Sequence, residues 1–208
     1  MTDTEAKSES ESASSVEQVE LFLLDAMLGS LSTYLRMCGH DAVYVLDTNA
    51  DTNTNTNTNA DYQTEQDADA AVSVEDANDD SNFLSRDCEP TDDEILTYAR
   101  NNERTILTRD TELANRADDA VLLTARDVED QLRELAAVGY DLTLTSRPSR
   151  CGACNGRVER LSSDVVVPEY APDPSERDCW QCLNCEQIFW KGSHWDDVAA
   201  TLERVRSQ

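Results

Sequence analysis

Two Cys-x-x-Cys pairs, Cys151-Gly-Ala-Cys154 and Cys182-Leu-Asn-Cys185, constrain the fold of this 208-residue chain more than any other feature. Each pair makes a tight knuckle. Two facing knuckles present four thiolates to one tetrahedral ion, a set that zinc favours. Five of the seven cysteines lie in the last 58 residues, and the chain opens on an acidic, Ser-rich stretch that does not resemble an export signal. The expectation is metal ligation in a reducing, cytoplasmic setting, not a disulfide framework. Spacing alone leaves a second register open, because Cys179-Trp-Gln-Cys182 is also Cys-x-x-Cys, and four thiolates also suit iron. In any register the ion is expected to be structural. The segment from about Arg150 to the C-terminus is too small to bury an adequate core alone.

Behind the second knuckle runs Ile188-Phe-Trp-Lys-Gly-Ser-His-Trp195. Three aromatics interleaved with Lys191 and His194 suit base stacking and phosphate contact. Phe189 and Trp190 equally suit a cover over the metal site.

The rest of the chain alternates short apolar runs with helical periodicity. Leu21–Leu24, Ala42–Leu46, Thr105–Thr108 and Ala120–Leu123 read as strands. Leu28, Leu31, Leu35 and Cys38 recur at helical spacing before Gly39. Thr91-Asp-Asp-Glu94 has capping-box form ahead of Ile95, Leu96 and Ala99. Thr111–Arg116 reads as a short helix, and Val128, Leu132, Leu135 and Val138 line a last one. The order β-α-β-α-β-α-β-α predicts an α/β fold with a parallel sheet and helices on both faces. Residues 139–149 read as a linker to a cysteine module covering 150–208, C-terminal helix included. No apolar run approaches the roughly 20 residues that span a bilayer.

Charge divides the chain unevenly. Of the net −26, residues 1–19 carry five acids against one base, and residues 47–89 twelve against one. The first reads as a disordered acidic tail. The second, with its Thr-Asn repeat after Asp51, reads as a disordered insertion in a loop of the domain 20–138. The acidic excess of the remainder is that of a protein built for very high salt. There the Debye length falls to about 3 Å, so a negative total does not exclude nucleic acid. Arg36, Arg109, Lys191 and the arginines Arg157 and Arg160 are the candidate short-range contacts.

Asp25 ends the first apolar strand, Asp92 and Asp93 open a helix, and Asp110 follows Ile106-Leu-Thr-Arg. In a parallel sheet such positions gather at the C-terminal edge of the strands, where ligands bind. Clustered carboxylates need a counter-cation, and oxygen-only donors favour Mg²⁺ or Mn²⁺, the ions of phosphodiester hydrolysis by metal-activated water. Neutralising Asp25 or Asp110 is expected to relieve repulsion and stabilise the metal-free protein slightly. Glu94 is expected to serve the capping box.

The stretch Phe22-Leu-Leu-Asp25 through Cys38-Gly-His-Asp41, then Asp92-Asp-Glu-Ile-Leu, Ile106-Leu-Thr-Arg-Asp110 and the ending Cys182 to Trp195, resembles the Mut-seven C-terminal RNase family. The resemblance spans about residues 20–46 and 90–198. It implies a PIN-like three-layer domain, a C-terminal zinc ribbon and metal-dependent cleavage of RNA. It further implies that Asp25, Asp92 and Asp110 are the acidic positions, with Asp93 their neighbour, and that zinc is held by Cys151, Cys154, Cys182 and Cys185. Three departures stand out: the 47–89 insertion, Cys179 where an aromatic is expected, and a fourth acid with no obvious counterpart, for which Asp118, Asp119 and Asp127 are weak candidates. The competing readings are a non-catalytic RNA- or protein-binding module and a toxin-like PIN nuclease, the latter weakened by the fused ribbon.

Overall fold

The computed structural model describes residues 19–47 and 89–207. The expected tail and insertion therefore lie outside the described residues, apart from Val19, Asp47 and Glu89.

Strands β1 (Leu21–Leu24), β2 (Asp41–Tyr44), β3 (Thr105–Thr108) and β4 (Ala120–Leu122) form a parallel sheet in the order β2-β1-β3-β4. Alternate residues feed the two faces: Phe22, Leu24, Ala42 and Leu107 join one buried cluster, and Leu23, Val43 and Ile106 the other. Apolar residues on both faces are what a parallel sheet covered on both sides requires. Helices α2 (Asp92–Asn101) and α3 (Thr111–Arg116) cover the second face through Ile95, Tyr98, Ala99 and Leu113. On the first face lie α1 (Gly29–Met37), entered through one 3₁₀ turn at Ala26–Leu28, and α4 (Val128–Val138). The expected capping box is present: Thr91 and Glu94 satisfy each other's backbone N–H. Gly39 sits at φ +92°, the left-handed conformation that turns the chain from α1 into β2. Val138, expected on the apolar face of α4, is exposed because the helix ends there.

Two segments depart from the sequence reading. Residues 139–149 pack instead of merely linking. Leu142 is in the core, and Tyr140 meets the Phe22 ring edge-on at 5.0 Å. The last helix, α5 (Ser193–Arg206), buries Val198, Leu202 and Val205 in the same cluster as Leu132 and Leu135 of α4. Its apolar positions, spaced four and three apart, face the sheet domain. The cysteine segment is thus an excursion between two helices of one core. It carries a three-stranded antiparallel sheet of β5 (Val158–Arg160), β6 (Cys179–Cys182) and β7 (Ile188–Trp190), in the order β5-β6-β7.

Candidate functional site

The sulfurs of Cys151, Cys154, Cys182 and Cys185 all lie within 4.8 Å of one another. Cys151 and Cys185 are 3.7 Å apart, Cys154 and Cys182 3.5 Å. A tetrahedron with Zn–S near 2.3 Å needs sulfurs about 3.8 Å apart, so the quartet is suited to a metal such as zinc with little adjustment. Burial pushes the Cys151 thiol up and the Cys154 thiol to about 11. Burial acts the same way on Cys182, but the N–H groups of Cys185 and Asn184 outweigh it and favour its thiolate. Four thiolates coexist here only with a cation among them. Cys179 is fully buried outside the quartet, its thiol directed to the Pro172 carbonyl at 3.6 Å.

The sequence reading passed over Asn155 and Gly156, which follow the first knuckle. A Cβ on Gly156 would sit 2.9 Å from the Cys182 sulfur, so only glycine lets the backbone pass the site. Asn155 adopts φ +62°, a conformation asparagine tolerates, and its side-chain oxygen accepts the N–H of Ala42 at 3.1 Å. Because β2 is an edge strand, this bond closes part of an otherwise open ladder.

Arg36 corrects an expectation. It is 2% exposed and lies out of reach of RNA. Its guanidinium donates to the Ala42 carbonyl at 2.8 Å, to Gly152 and Ala153 carbonyls at 3.1 and 3.2 Å, and to Asp47. It ties α1 and β2 to the first knuckle. Asp41 works beside it, accepting from Arg104 at 2.9 Å, Arg150 at 2.7 Å and the Asn155 amide at 2.8 Å. Burial raises the Asp41 pKa, but Arg104, Asn155 and Arg150 together hold it below the ordinary value.

At the C-terminal edge of the sheet, β1 and β3 are neighbours, and Asp25 and Asp110 follow them directly. Asp25 is 7% exposed; it accepts from the Thr108 hydroxyl at 2.7 Å and the Ala26 N–H at 2.6 Å. Thr108, fully buried, accepts the Asp110 N–H at 2.9 Å. Asp110 caps α3 through the N–H groups of Glu112 and Leu113. Helix α2 runs from this edge to the opposite one to enter β3, so Asp92 and Asp93 open it on the side of Asp25 and Asp110. Both acids pair with Arg116 of α3, Asp92 at 3.1 Å. Among the described residues, the cysteine quartet is the only set of three or more such ligand groups gathered within 4.8 Å; the acids do not close into one. Of the weak candidates for a fourth acid, Asp118 and Asp119 precede β4 at the opposite edge. They bond Arg100 at 2.8 Å and Thr105 at 2.6 Å, while Asp127 caps α4.

The other proposed RNA contacts are spread over the molecule. Lys191 donates to the Ser146 carbonyl at 2.5 Å and lies 5.0 Å from the Trp195 ring centre. His194 is exposed at the start of α5, and the Nε of Arg109 is buried without a hydrogen-bond partner.

Architecture and sites define the class: a mixed α/β protein with a four-stranded parallel sheet, carboxylates at its C-terminal edge and four clustered cysteines that could hold a metal ion. The Mut7-C RNAse domain matches residues 20–65 and 75–202, and the chain belongs to that family. No curated protein and no solved structure matches it. Membership suggests ribonuclease function and implies RNA as substrate. Among the described residues no helix is long and apolar enough to cross a membrane.

Proposed function

We propose that this protein is a Mg²⁺- or Mn²⁺-dependent ribonuclease with a PIN-like core and a structural zinc ribbon that assists RNA binding in the cytoplasm. The observation carrying this reading is Asp25: a buried carboxylate, oriented by Thr108, at the C-terminal end of an inner parallel strand beside Asp110. Asp25, Asp92 and Asp110 would hold the cation through oxygens alone, the donor set that such hard ions take. The bound ion supplies Lewis acidity to a phosphoryl oxygen and acidifies water. The protein's part is to fix the acids. Thr108 sets the plane of the Asp25 carboxylate, and the first turn of α3 does the same for Asp110. His40 is committed between the Glu20 N–H and the Asp141 carbonyl, which removes it as a general base.

The test is RNA cleavage in high potassium chloride with Mn²⁺ or Mg²⁺, comparing wild type with Asp25→Asn. Cleavage by wild type alone, stopped by EDTA and restored by Mn²⁺, supports the reading. Equal activity in both proteins sinks it. A non-catalytic RNA-binding module is the second reading, favoured by the Arg116 guanidinium that already occupies Asp92 and Asp93.

A further inference from the structure

Two concavities adjoin on the cysteine module. One, of about 450 Å³, lies between α1 and the start of α5. Its walls include Phe189, Trp190, His194 and Trp195, with Met37 and Pro148. The other, of about 500 Å³, is lined by Arg147, Arg160, Arg177 and Lys191 against two acids, Glu176 and Asp178. In a chain with 43 acids and 17 bases, four cations around one depression run against the general charge. Among the described residues, Arg160 alone of the four has an acidic partner at salt-bridge distance, Asp178.

The two depressions share a ridge made by consecutive residues. Arg147 lines the basic side and Pro148 the aromatic side; Lys191 lines the basic side and Trp190 the aromatic side. Lys191 over the Trp195 ring joins them. Flat rings on one flank and cations on the other match a single-stranded nucleic acid, whose bases lie to one side of its phosphates. A duplex keeps its bases stacked inside and has none to offer the rings. Thr33 and Met37 of α1 also line the aromatic groove. At a rise of 1.5 Å per residue they lie roughly 6 and 12 Å along a helix that begins four residues after Asp25. A strand held here is within a few nucleotides of the acidic edge.

We propose that this pair of depressions is a single-stranded RNA subsite: the aromatic groove takes a base, and Arg147 and Arg177 take the flanking phosphates. The proposal rests on the ribonuclease reading for its substrate class, but its test does not need turnover.

The test is fluorescence anisotropy of a short labelled oligouridylate on the full chain, in an Asp25→Asn background so that no strand is consumed. Trp195→Ala should weaken binding at least about fivefold, with the salt dependence unchanged. Trp195→Phe, which keeps a flat ring, should restore most of it. Arg147→Gln and Arg177→Gln should each lower the slope of log affinity against log salt by about 0.7. A blunt RNA duplex should bind weakly and ignore Trp195. Zinc content and melting temperature confirm that each variant is folded. If the folded tryptophan and arginine variants bind the single strand like their background, the subsite is refuted, even if wild type cleaves RNA. If Trp195-dependent binding holds but wild type cleaves nothing, the subsite stands and the nuclease reading falls.

Discussion

Thr108 donates its hydroxyl proton to Asp25 at 2.7 Å, and both groups are buried. Thr108→Val keeps the shape of the side chain but leaves a buried carboxylate oxygen without its donor, at a cost of about 1–3 kcal/mol. The same change frees the carboxylate to rotate, so RNA cleavage should fall while Asp25 remains. Chemical unfolding and initial cleavage rates check both. A Thr108→Val protein with undiminished stability and rate would show that the hydroxyl does not orient Asp25.

Asp25→Asn should abolish cleavage, yet the small stabilisation expected from relieved repulsion should not appear. Asp25 is already satisfied by Thr108 and the Ala26 N–H, and among the described residues it belongs to no set of three ligand groups gathered within 4.8 Å. Asp110→Asn should leave stability nearly unchanged, because asparagine caps a helix as well as aspartate does. Melting of the metal-free variants decides the point. A raised melting temperature in both would restore the repulsion argument.

Arg116 competes with any cation for Asp92. Its pairs with Asp92 and Asp93 are substantially exposed, so each contributes at most about 1 kcal/mol. Arg116→Ala should therefore strengthen Mn²⁺ binding by no more than about tenfold, measured by electron paramagnetic resonance titration of free Mn²⁺. Unchanged or weaker binding would remove Asp92 from the cation site.

Asp41 predicts an acid-dependent joint between sheet and cysteine module. Its pKa is held below the ordinary value of 3.8, so its contribution is complete above that pH and declines as pH falls toward the lowered value. Asp41→Asn should destabilise by roughly 3 kcal/mol near neutrality, since Arg104 and Arg150 lose a largely buried carboxylate. The gap between wild type and variant should narrow as pH falls below 3.8. A gap independent of pH would mean that packing, not charge, makes the joint.

The sheet was legible in the sequence because each strand is a short apolar run and each helix start carries a local signal, such as Thr91 with Glu94. The quartet was legible to its register once the family's ribbon ending was weighed against Cys179. What escaped was the contacts between distant segments that no local motif marks. Arg36 looks like a surface cation on an amphipathic helix, and only the arrival of the knuckle carbonyls of Gly152 and Ala153 shows that it is buried. Helix α5 follows the cysteines in sequence, and nothing local says that Val198, Leu202 and Val205 return to the first core. Thr108 bears no mark in sequence beyond its place between an apolar strand and Asp110.

The cysteine register gives the most decisive test. Wild type should hold one tightly bound zinc per chain, and Cys151→Ser or Cys185→Ser should release it. A hydroxyl is a poorer zinc ligand than a thiolate, and burial pushes up the Cys154 thiol, and the Cys151 thiol where it is kept, so they reprotonate once the cation is gone. Loss of the ion should loosen residues 150–191, while α5 stays docked through its contacts with α4. Tryptophan fluorescence should therefore change at Trp180 and Trp190 with helical circular dichroism largely kept. Cys179→Ser should retain full zinc, because its thiol faces the Pro172 carbonyl and lies outside the quartet. Elemental analysis finding zinc retained in Cys185→Ser, or lost in a folded Cys179→Ser, would move the second knuckle to Cys179 and Cys182.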